Sequence, residues 1–164
     1  MTQWRTRRIT RLAFMLALGL LFSYIESLIP FYFGIPGAKL GLGNLMVLLI
    51  LYTYGVKDAL LVNIVRILIA GILFSNLFGI LYSIAGALFS FLAMVFIKKF
   101  TKAGVTIVSI VGGIFHNIGQ IMVATVLISH FSFLYYLPFL LATGIVAGFL
   151  IGRLADIFIK RGIL

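Results

Sequence analysis

The chain is 164 residues long, 63% hydrophobic and only 10% charged, with a mean hydropathy of +1.26 and a net charge of +10. So apolar a composition exceeds what a water-soluble domain can bury, which makes the chain an all-α integral membrane protein and excludes a soluble enzyme. It has no cysteine, which removes disulfides, thiolate catalysis and thiolate metal sites together.

Spans of about 20 mostly apolar residues are required to cross a bilayer, and turn and charge signals divide the single domain into six: 9–29, 40–55, 59–74, 76–97, 105–129 and 133–159. The first follows a basic N-terminus, as a secretory signal would. Its apolar stretch is long and ends at no small-residue cleavage site, so it reads as a retained transmembrane helix. Small residues four apart, Ala13 with Ala17 and Gly19 with Ser23 and Ser27, predict close approach to other helices. Glu26 lies in its last turn, ahead of "PFYFGIPGAKLG", an aromatic, glycine-rich outer loop holding Lys39. That loop is either a gate over an outward-facing pocket or a plain connector.

The second segment is short and starts in "GIPGAKLGLGN", so its crossing is judged from the basic residues. With six spans and both termini cytoplasmic, Arg5, Arg7, Arg8, Arg11, Lys57, Lys98, Lys99, Lys102, Arg153, Lys160 and Arg161 are inside, eleven of the thirteen, and only Lys39 is outside. Without the second crossing, four would be inside and eight outside. The charge therefore expresses orientation in the cell membrane and contact with anionic lipid, not nucleic-acid binding.

In the third segment, "ALLVNIVRILIAGILF", Arg66 lies about 10 Å from the inner end at 1.5 Å per residue, with Asn63 beneath it on one face. A structural arginine that snorkels or bonds between helices is the favoured reading; an anion or carbonyl contact in a cavity is the functional one. Its depth separates it from Glu26. The fourth segment opens at Asn76. The fifth carries "GGIFHNIGQIM", where His116 and Gln120 share a face and Asn117 adjoins them; at mid-bilayer these must face helices or water. In the sixth, Gly144, Gly148 and Gly152 form a small-residue ridge for a helix of this chain or of a partner.

Catalytic patterns are missing. Glu26, Asp58 and Asp156 are the only acids and lie on different segments, so there is no carboxylate pair to hold Mg²⁺. No GxxxxGK[ST] loop is present to cradle a nucleotide, and His116 and His130 are too far apart in sequence to suggest a metal site. The chain is expected to be no enzyme and to bind no cofactor. The predicted substrate-binding residues are Glu26, Lys39, Asn44, Asn76 and Gln120, with Arg66, His116 and Asn117 as a deeper alternative. So sparse a polar set suits a largely apolar ligand with a small polar head.

The stretches "RLAFMLALGLLFSYIESLIP", "GIPGAKLGLGN" and "GGIFHNIGQ" resemble the membrane proteins known as heptaprenyl diphosphate synthase component I, or the Gx transporter family. These look like S-components, the substrate-binding subunits of energy-coupling factor (ECF) transporters. The resemblance implies a six-helix bundle holding a vitamin- or isoprenoid-like substrate near the outer face, under the loop between the first two helices. It also implies docking through Ala13 and Ala17 on a transmembrane coupling subunit, with ATP used by two partner ATPases. The synthase name implies an alternative, a non-catalytic membrane subunit beside a soluble prenyl diphosphate synthase. An autonomous channel would want a charged pore ring, which is not seen.

Overall fold

The structure is a computed structural model that describes residues 3–28, 41–128, 135 and 137–162. The described residues form six α-helices: α1 Gln3–Leu28, α2 Leu42–Thr53, α3 Val56–Phe74, α4 Leu77–Phe100, α5 Val105–Ile128 and α6 Leu137–Lys160. Each predicted segment has its helix. The first begins six residues earlier than expected, because its basic residues continue the helix past the apolar stretch. Four helices, α1, α4, α5 and α6, are long and apolar enough to cross a membrane. Helix α3 carries Lys57, Asp58 and Arg66. At 12 residues, α2 is only about 18 Å long, short of a hydrocarbon core of about 30 Å.

Large apolar side chains cover the outside. Ile72, Val126, Leu77 and Phe78 are 75%, 77%, 69% and 66% exposed, a surface that would aggregate in water and is at its lowest energy in lipid. Helix α2 is the opposite case. Every residue from Leu45 to Leu51 is buried, as befits a helix apolar all round. It packs against α1, α3 and α6 and shares its core with Phe91 and Met94 of α4, Val108 of α5 and Ala155 of α6.

Neighbouring helices alternate in direction. Gly113, Ile110 and Thr106 of α5 meet Gly144, Gly148 and Gly152 of α6 in antiparallel register, and a Cβ on Gly144 would lie 2.7 Å from the Gly113 carbonyl oxygen. The glycine ridge of α6 is therefore consumed inside the chain. At one end of the bundle, Arg8 of α1 forms an ion pair with Asp58 of α3, with its Nε 3.1 Å from the carboxylate. At the same end Lys98 of α4 donates to the Leu51 carbonyl of α2 at 2.5 Å, its ammonium 4.3 Å from the centre of the Tyr52 ring. The starts of α1, α3 and α5 and the ends of α2, α4 and α6 thus gather into one basic pole.

Helix α2 runs from that pole only part of the way up. Its first residues meet Ser23 of α1, the middle of α3 at Arg66, and Ile151 of α6. Helix α2 starts inside the bundle, and polar side chains collect around its N-terminus.

Candidate functional site

Arg66 is the centre of the arrangement. It is 8% exposed, too deeply set to snorkel, and its guanidinium bridges three helices. One terminal nitrogen donates to Ser23 Oγ of α1 at 3.0 Å; the other donates to Asn44 Oδ1 of α2 and Asn63 Oδ1 of α3, each at 3.0 Å. Neutral oxygens alone make a weak environment for a buried cation. The one carboxylate among the described residues of the same cavity is Glu26, itself 7% exposed.

Two glycines make the crossing of Arg66 feasible. A Cβ at Gly19 would come within 3.0 Å of the arginine Cδ, and one at Gly43 would overlap the guanidinium and lie 2.8 Å from Ser23 Oγ. Gly41 has φ +72°, the left-handed conformation that glycine adopts without penalty, and from it donates its N–H to the Glu26 carboxylate. Three of the four residues of "GLGN" are thereby accounted for: Gly41 turns the chain into α2 and meets Glu26, Gly43 makes space, and Asn44 accepts from Arg66. Helix termini leave backbone N–H groups unpaired, and a carboxylate at such a terminus is favourable.

Glu26 and Arg66, which depth along their helices had set apart, line one cavity of about 80 Å³. The reason is that α2 begins at mid-depth, so the Gly41 that holds Glu26 and the Asn44 that holds Arg66 are one helical turn apart. Asn44, His116 and Gln120 complete its polar wall with Ser23 and Ser83, while Ile67, Ala70 and Phe74 supply an apolar side. A second cavity of about 40 Å³ lies deeper between α4, α5 and α6, lined by Ser90, Ser109 and Asn117 and sharing Gly41, Asn44 and His116 with the first. Asn117 donates to the Leu140 carbonyl of α6.

Of the predicted site residues, Glu26, Asn44, Arg66, His116 and Gln120 come together, and Asn117 borders the inner cavity. Asn76 does not join them: it is exposed and caps α4, accepting the Gly79 N–H at 2.9 Å. Lys39 lies outside the described residues. Ala13 and Ala17 are exposed along α1. Ser23 had been read only as a packing residue and Ser83 not at all. The spacing of Ser23 from Glu26, three residues on one helix face, was the available signal for the former. No group of three potential metal ligands occurs among the described residues.

The family model described as heptaprenyl diphosphate synthase component I matches residues 15–158. No curated protein and no solved structure matches the chain.

Proposed function

The chain belongs to the heptaprenyl diphosphate synthase component I family, and from that footing we propose that it is the substrate-binding membrane subunit, or S-component, of an ECF-type ATP-driven uptake transporter for a small, partly apolar, vitamin- or isoprenoid-like compound. One observation carries this reading: an apolar bundle keeps a polar cavity above a buried, part-length helix, on the side away from its basic pole. A basic pole is retained in the cytoplasm, so the cavity belongs to the outer half, where a substrate arriving from outside is captured. Both termini are then cytoplasmic and the second segment returns the chain across the cell membrane, as a six-span topology needs. Helices with irregular starts that place polar groups at mid-membrane are a recurrent way to build transport sites.

Energy must come from elsewhere, because the chain has no nucleotide-binding loop. The partners are a transmembrane coupling subunit, docked on the small exposed face at Ala13 and Ala17, and two ATPases. The family's description supports a second reading, a non-catalytic membrane subunit associated with a heptaprenyl diphosphate synthase. Affinity purification from native membranes decides between them. Recovery of a coupling subunit with ATPases is expected; recovery of a soluble prenyl diphosphate synthase in their place would replace the first reading with the second.

A further inference from the structure

Resting on the reading of the larger cavity as the substrate site, we propose that it takes an uncharged ligand head of the carboxamide, lactam or ureido class, one that donates and accepts hydrogen bonds at once, and rejects carboxylates and diphosphates. Among the described lining residues there is one cation, Arg66, and one anion, Glu26. The carboxylate already accepts the Gly41 N–H at the start of α2, and the terminal nitrogens of the guanidinium already donate to Ser23, Asn44 and Asn63. An anionic ligand would add a charge that no described lining residue is left to neutralise, which is unfavourable inside an apolar bundle. A diphosphate would add more than one.

What the cavity leaves unpaired points the same way. Gln120 is 2% exposed, lines the cavity, and its amide hydrogen-bonds to no described residue. A glutamine amide offers an acceptor oxygen and two N–H donors. A carboxylate, which only accepts, would leave the Gln120 oxygen orphaned. A second amide-like group satisfies both edges by reciprocal C=O and N–H pairing. Space agrees, since about 80 Å³ holds a head of a few heavy atoms, with Ile67, Ala70 and Phe74 to receive an attached alkyl or ring.

The test is thermal unfolding of the purified solitary chain in lipid nanodiscs, titrated with propionamide, its near-isostere propionate, and inorganic diphosphate at matched ionic strength. Propionamide is expected to raise Tm saturably and the two anions to leave it unchanged. Gln120→Met keeps the volume and removes both polar groups; it is expected to keep the parental Tm, because the amide has no hydrogen-bond partner among the described residues to lose, and to raise the half-saturating propionamide concentration at least tenfold. The proposal is overturned by a propionate or diphosphate response equal to that of propionamide, by no propionamide response, by a Gln120→Met protein that still responds, or by one that is destabilised, which would assign the amide to the fold. Failure here leaves the transporter reading intact, since that depends on copurified subunits, and loss of those subunits would leave a propionamide response standing.

Discussion

Gly43 and Arg66 share one space: the guanidinium lies where a Cβ on Gly43 would be, so the absence of a side chain on α2 and the presence of a long one on α3 are a single structural decision. Gly43→Ala is expected to cost about 1–3 kcal/mol through overpacking and to displace the bonds from Arg66 to Ser23 and Asn44. Gly104→Ala, at a position with nothing within 4 Å of the added carbon, is the control. Equal melting temperatures for the two variants would show that Arg66 has somewhere else to go.

Removing the guanidinium strands Ser23, Asn44 and Asn63, so Arg66→Gln is expected to destabilise by about 1–3 kcal/mol, the range for buried polar groups left unsatisfied. Arg66→Lys keeps the charge but lacks the planar fork that reaches three acceptors, and falls between. In the double variant Arg66→Gln/Glu26→Gln the loss should be smaller than the sum of the single losses, measured as a coupling in unfolding free energy. Strict additivity would mean that the two charges do not balance each other.

The fold was legible in outline because hydrophobic segments of this length have few alternatives in lipid. The six helices, the polar face of His116 and Gln120, and the pairing of Asn63 beneath Arg66 all follow from spacing along single helices. What spacing could not supply was relative height. Glu26 and Arg66 seemed too far apart in depth because each was placed along its own helix, while the part-length α2 that brings their partners to one level is a tertiary fact. Gly41 and Gly43 were visible as a glycine-rich stretch, but their separate duties depend on Glu26 and Arg66 arriving from other helices. Asn76 was misplaced for a local reason: an asparagine immediately before an apolar run is an N-cap signal.

Topology has a direct measurement, since the chain contains no native cysteine. Single cysteines at Ser75, between α3 and α4, and at Lys102, between α4 and α5, are expected to react with a membrane-impermeant maleimide from opposite faces, Ser75→Cys from outside in intact cells. Labelling of both from the same face would end the alternating arrangement.

Ala13 and Ala17 offer a cleaner substitution than most transmembrane alanines because both are exposed. Enlarging both to Leu should meet nothing within the chain, leaving the melting temperature of the isolated protein within about 0.5 kcal/mol equivalent, while abolishing recovery of the coupling subunit in pull-downs. An assembly that tolerates both leucines would place the docking face elsewhere.

Helix α2 has another consequence, for biogenesis. The Gly41 N–H at its start is met by Glu26, made before it, whereas the Leu51 carbonyl near its end is met by Lys98, made 47 residues later. A ribosome that has just released α2 into the membrane has therefore delivered a helix too short to cross, whose Leu51 carbonyl still lacks its lysine partner. Such a segment cannot take its final position until α4 has followed, because unsatisfied backbone in hydrocarbon costs several kcal/mol. The innermost helix of the finished bundle is thus set in place after helices synthesised later, and a chain truncated after residue 75 and released from the ribosome should leave it open to protease where the full-length protein does not.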